Sequence, residues 1–149
     1  MNVRNVMTTH PSVVARSNTI AEAACVMRDR RIRMLPVIDD LCLRNLVGVI
    51  TDNDIVTRCV VSGHGQGCRI GTHMTSEDLA SVFADADIGD VVAVMRKRSL
   101  SRLPVIDAAG RVVGVITLSD LASRVERGDP HVIEQVEQSI SAAHLLAVR

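Results

Sequence analysis

The pentapeptide Leu-Pro-Val-Ile-Asp occurs at residues 35–39 and again at 103–107. With Pro104 laid over Pro36, Val-Gly-Val-Ile-Thr at 47–51 falls on 113–117, after a loop two residues longer in the first copy. Upstream, Ile20, Val26, Met27 and Arg28 fall on Ile88, Val94, Met95 and Arg96, and Met7-Thr8 matches Met74-Thr75. A spacing of about 67 residues is too long for a solenoid unit, and there are only two copies. The chain is therefore a duplicated small domain. A unit of about 60 residues has a marginal core alone, so two such units are expected to bury their strand faces together.

Each copy has the same local pattern. In the first, Ile20, Ala23, Ala24 and Met27 recur at helical spacing. Thr19 with Glu22 three residues on has the form of a capping box that starts this helix. Asp87 and Asp90 give a weaker start signal in the second copy. Two short strands follow, Leu-Pro-Val-Ile-Asp and a β-branched run ending in Val-Ile-Thr, separated by turn residues. A second helix is expected from Asp52 and from Leu118, and short leading strands from 11–14 and 79–83. The predicted unit is β-α-β-β-α, twice. Repeat 1 covers 1–62 and repeat 2 covers 70–127, with a Gly-rich linker at 63–69. An amphipathic helix over 128–149 carries Ile133, Val136, Ile140 and Ala143 on one face.

Composition narrows the function classes. Seventeen basic and seventeen acidic residues cancel, and Phe83 is the only Phe, Trp or Tyr. Neither a basic field nor a stacking platform is available, so nucleic-acid binding is not expected. A hydrophobic fraction of 47% and a mean hydropathy of +0.22 indicate a folded chain. There is no signal-peptide pattern or membrane-spanning run, so neither export nor a membrane partner is expected. The scattered cysteines Cys25, Cys42, Cys59 and Cys68 read as reduced thiols, and the expected location is the cytoplasm.

Each Gly-Val-Ile-Thr strand is followed by an aspartate three residues after its threonine: Thr51 with Asp54, and Thr117 with Asp120. Such a pair serves as a helix cap. It also suits a ligand. A helix start favours phosphate, a hydroxyl donates to an oxygen, and a carboxylate accepts both hydroxyls of a ribose. The glycine ahead of each threonine removes a side chain that would crowd such a ligand. No nucleophile elbow, phosphate loop, dinucleotide fingerprint or paired-carboxylate motif is present, and no enzyme activity is expected. Met27, Met34 and Met95 read as core filler.

The doubled pattern resembles the cystathionine-β-synthase (CBS) domain, and the tandem pair resembles a Bateman module, similar to small stand-alone bacterial CBS-domain proteins. The resemblance covers about residues 1–127. It implies an α+β fold of two β-α-β-β-α CBS repeats packed by their sheets around a pseudo-twofold axis. It further implies regulatory binding of an adenosine-containing ligand (AMP, ADP, ATP or S-adenosylmethionine) in clefts between the repeats, with no cofactor required. Carried over, the ligand-binding residues are Thr51, Asp54, Thr117 and Asp120. Arg102 is expected to face phosphates. Its counterpart is Met34, a departure from the pattern, with Arg33 one residue earlier. Adenine would rest on aliphatic walls, with Val14 and Val82 as contributors or as core. Asp52 would repel a polyphosphate at the first corner, which favours the corner that uses Asp120. The resemblance also implies a homodimer and action in trans on a protein target that the sequence does not name.

Two alternatives stand beside this. One is a ligand-free structural or protein-interaction CBS module. The other is a zinc- or redox-responsive one, using Cys59, His64, Cys68 and His73. Two thiols and two imidazoles suit zinc. Their spacing matches no standard finger, and free cysteine is commonly a small buried hydrophobe, so no metal is the expectation and these four remain the candidate zinc ligands.

Overall fold

The computed structural model of the protein describes residues 1–125 together with Pro130, Ile133 and Glu134. Most of the helix expected over 128–149 therefore lies outside the described residues. In chain order the elements are a 3-10 turn (Val3–Asn5), β1 (Thr8–Thr9), β2 (Val14–Ala15), α1 (Ile20–Arg30), β3 (Met34–Ile38), β4 (Leu46–Thr51) and α2 (Asp52–Asp54). A π-helical turn (Ile55–Val60) continues α2 and is followed by α3 (Ile70–His73) and β5 (Val82–Phe83). The chain then forms α4 (Ile88–Arg98), β6 (Arg102–Ile106), β7 (Val112–Thr117) and α5 (Leu118–Val125). This is a mixed α+β fold with two copies of one pattern.

The long helices start and stop where the side chains dictate. Thr19 Oγ1 accepts from the Glu22 amide at 3.2 Å, while Glu22 Oε2 accepts from the Thr19 amide at 2.7 Å. Both halves of the predicted capping box are thus formed. α4 starts on Asp87, whose carboxylate accepts from the Gly89 amide at 2.8 Å. Both helices end on a left-handed residue, Arg31 and Ser99.

The chain divides into two compact units that are offset from the sequence repeats. One comprises 1–11, 80–108 and the described residues from 113 on; the other comprises 12–79 and 109–112. In the first unit the sheet order is β1-β7-β6-β5, with β1 antiparallel to β7 through Thr8 opposite Val115. In the second the order is β2-β3-β4, and an isolated bridge joins Val49 to Thr75. Met7-Thr8, near the start of repeat 1, therefore lies against the last strand of repeat 2. Met74-Thr75, near the start of repeat 2, lies against the last strand of repeat 1.

This exchange accounts for the glycine in each Val-Gly-Val-Ile-Thr. A Cβ on Gly114 would stand 2.6 Å from Met7 Sδ and 3.0 Å from the Thr8 carbonyl oxygen. On Gly48 it would stand 2.8 Å from Met74 Sδ and 2.9 Å from the Thr75 carbonyl oxygen. The expectation that these glycines clear space for a ligand is corrected: the space is filled by a methionine and a crossing backbone.

Each unit has its own core. The first buries Val3, Val6, Ile88, Met95, Leu103 and Ile116, with Val82 among them. The second buries Val14, Ile20, Met27, Leu35, Ile50 and Ile70. Met27, Met34 and Met95 are buried, as expected of filler. Full burial of such side chains contributes roughly 1.5–3 kcal/mol each. The 63–69 segment is not a loose tether. Ile20 donates its amide to Cys68 and Ala21 donates to Gln66, so the segment is laid over the start of α1.

Candidate functional site

Both threonine–aspartate pairs sit where a strand ends and a helix begins. At β4–α2, the Thr51 amide donates to Asp54 Oδ2 at 3.0 Å and the Asp54 amide donates to Thr51 Oγ1 at 3.1 Å. At β7–α5 the same two bonds measure 3.0 and 3.1 Å, and Thr117 Oγ1 also donates to Asp120 Oδ2 at 2.7 Å. The capping role anticipated for these residues is present in both copies. In each carboxylate the capping bonds use Oδ2.

The two corners differ in burial. Asp54 is buried, and its Oδ1 lies 3.7 Å from Arg58 Nε, one helical turn on. Arg58 also donates through Nη1 to the His73 and Met74 carbonyl oxygens at 3.2 and 3.3 Å. Asp120 is only half-buried. Its carboxylate is tied to the strand end through Oδ2.

The other predicted site residues are placed as follows. Arg33 Nε donates to Asp52 Oδ2 at 2.9 Å. That contact holds the guanidinium further above its already high range and offsets the Asp52 charge. The repulsion expected of Asp52 is thereby reduced at its source, and Arg33 is committed to a carboxylate. Arg102 opens β6 and is half-buried. Val14 and Val82 are 4% and 7% exposed and belong to the cores of their units. A surface groove of about 340 Å³ runs along α4 past Val92, Ala93, Arg96 and Lys97, and no predicted site residue lines it.

The cysteine and histidine candidates are drawn together, all within one unit. Cys59 Sγ, Cys68 Sγ and a ring nitrogen of His73 lie within 4.8 Å of one another. His64 Nδ1 lies 3.3 Å from His73 Nε2. Burial pushes the Cys59 thiol upward, and the neighbouring Cys68 adds to that shift. All four cysteines are free, with Cys25 and Cys42 on the surface. Among the described residues, no helix is long and apolar enough to cross a membrane. Sequence reasoning had no access to the Arg58 bridge, because its acceptors are backbone oxygens fifteen and sixteen residues away.

Comparison with known proteins places this geometry. The CBS domain family matches residues 3–60 and 70–127. The CBS domain-containing protein YhcV of Bacillus subtilis is 31% identical over 121 residues, which cover 81% of this chain and 83% of that protein. Hypoxic response protein I, solved with two coordinated zinc ions, superposes with a TM-score of 0.75 at 30% identity, over 83% of this chain and 98% of that one. The CBS domain pair of protein MJ0100, solved with 5'-methylthioadenosine and S-adenosyl-L-methionine, superposes with a TM-score of 0.70 at 30% identity, over 83% of this chain and 94% of that one. The chain spans 22% of the length of the inosine-5'-monophosphate dehydrogenases of Streptococcus pyogenes that it matches. With both repeats matched over most of the 149 residues, the chain belongs to the CBS domain family as a tandem pair.

Proposed function

We propose that this CBS pair is a regulatory module that binds an adenosine-containing ligand at its threonine–aspartate corners, with Asp120 as the principal ribose acceptor. The observation that carries the reading is the doubled corner. Each unit sets a carboxylate at the junction of a strand and a helix with one oxygen held in the cap, and the Asp120 corner is the less buried of the two. A CBS pair of 30% identity solved with S-adenosyl-L-methionine and 5'-methylthioadenosine supports the adenosine class. Arg102, half-buried where β6 begins, is assigned to the ligand's charged end. Arg33 serves the first corner less well because Asp52 holds it.

The role is binding rather than catalysis. A ligand acts through such a module only by a difference in affinity between two of its states. A second copy of the chain and a separate protein target complete the proposal. Exposed Val56, Val60 and Val61 on and after the π-helical turn offer apolar surface for such contacts.

A thermal-shift panel tests the reading. AMP, ADP, ATP, S-adenosylmethionine and 5'-methylthioadenosine are compared with guanosine and cytidine nucleotides. Mass action predicts a Tm that climbs with concentration for at least one adenosine compound. Flat melting temperatures across the adenosine set would overturn it.

A further inference from the structure

Within one compact unit, the fifteen residues from Cys59 to His73 fold back on themselves. Cys59, on the π-helical turn, is 2% exposed, and His73, the last residue of α3, is 4% exposed. Cys68, half-buried, stands just before α3. These three present two sulfurs and a ring nitrogen within 4.8 Å of one another. His64 adds a fourth donor from the exposed loop, its Nδ1 at 3.3 Å from His73 Nε2.

Those separations are close to the edges of a metal tetrahedron. Zinc–sulfur bonds of about 2.3 Å and zinc–nitrogen bonds of about 2.0–2.1 Å put ligand atoms roughly 3.3–3.8 Å apart. The two imidazole nitrogens already stand at such an edge, and the Cys59, Cys68 and His73 atoms need to close on one another by about an ångström. His64 has room to adjust, because Gly63, Gly65 and Gly67 flank it and added side chains at all three would meet nothing. The alternative reading is a hydrogen-bonded histidine pair beside two core thiols. It accounts for each contact singly, and leaves unexplained why three soft donors cluster with a fourth beside one of them.

We propose that Cys59, Cys68, His73 and His64 form a structural zinc site. Two thiolates and two imidazoles in a tetrahedral set favour zinc over harder cations. The two thiolates also cancel the charge of the ion, so the assembled site is neutral and its burial carries little penalty. The ion ties the π-helical turn that follows Thr51–Asp54 to the end of α3. Arg58 spans the same two places, reaching Asp54 on one side and the His73 carbonyl on the other. The site thus braces the first threonine–aspartate corner from behind. It stands on residues separate from that corner.

The test uses the full-length, tag-free protein kept reduced. Its metal content is measured as purified, and again after chelation and dialysis against zinc. Cobalt(II) is then substituted for zinc and the absorption spectrum recorded. A single zinc ion per chain is expected, with a higher Tm on reloading. Cobalt is expected to give thiolate charge-transfer bands and the strong visible bands of a tetrahedral site. Cys68→Ser is expected to weaken zinc binding by well over about tenfold, since loss of outer-shell partners alone costs 10–100-fold. Exposed His64→Ala keeps the fold and is expected to weaken binding and alter the visible cobalt bands. Absence of zinc and of cobalt charge-transfer bands in the folded wild type would overturn the proposal. So would thiol titration showing a Cys59–Cys68 disulfide in freshly isolated protein, or zinc affinity unchanged in both variants.

Discussion

Thr117 gives both its amide and its hydroxyl hydrogen to one oxygen of Asp120, at 3.0 and 2.7 Å. One carboxylate oxygen thereby fixes the side chain to the strand end at a half-buried corner. On the proposed function the same residue both caps the helix and takes the ligand. They respond differently to substitution. Thr117→Ala is expected to lower stability by about 1 kcal/mol through loss of the cap, while Thr117→Ser retains the hydroxyl and most of that stability. Urea titration of the two variants checks this ordering.

A Cβ on Gly114 or Gly48 would clash with a methionine sulfur and crowd a crossing carbonyl at 3.0 or 2.9 Å. Gly114→Ala and Gly48→Ala are each expected to destabilise the protein by about 1–3 kcal/mol, the usual range for overpacking. The carbonyl is part of the contact, so trimming Met7 in a Gly114→Ala background restores only part of the loss. Chemical denaturation of the single and double variants measures it.

Asp52 and Arg33 form an exposed pair, with side chains 44% and 71% accessible. Solvent screens such a pair, and Asp52→Asn is expected to change stability by less than about 1 kcal/mol. The same substitution releases the guanidinium and removes a negative charge beside the first corner. On the proposed function, it should tighten binding of triphosphate over monophosphate ligands. Equal effects on ATP and AMP would separate Arg33 from phosphate recognition.

Four surface carboxylates are held below the usual carboxylate range, among them Asp29, which the Arg28 guanidinium lowers. Glu22 is lowered by the Thr19 amide and then by Asn18, Asp39 by Asn45 and the Asp40 amide, and Asp87 by the Gly89 amide and the chain's terminal ammonium. Folding lowers each value, so their contribution is complete above the unfolded range near pH 4 and is lost as pH falls through the depressed folded values. Tm should be nearly level from about pH 7 to 5 and decline below about pH 4. Asp87→Asn should lower Tm at neutral pH and flatten the acid limb, which melting curves across that range will show.

Much of this was readable from residues alone. Identical pentapeptides and the Thr19–Glu22 box gave the repeat, the strand pair and the start of α1, because these are local patterns. Which methionine–threonine segment pairs with which strand was not readable. Met7 and Met74 are the same residue in near-identical contexts, so only the packed structure distinguishes exchange from self-pairing. That ambiguity also hid the purpose of Gly48 and Gly114. The π-helical turn at Ile55–Val60 is another example, since its residues carry an ordinary helical pattern. Convergence of Cys59, Cys68 and His73 depends on a glycine-rich loop folding back over α1, and spacing does not encode that.

The most direct measurement of the central claim is isothermal calorimetry of the wild type and Asp120→Ala against AMP, ATP and S-adenosylmethionine, with circular dichroism confirming that both are folded. The account predicts saturable heat from at least one of these ligands and its loss or severe weakening in Asp120→Ala. Folded wild-type protein that gives no heat with any of them, or binding that Asp120→Ala leaves intact, would contradict it.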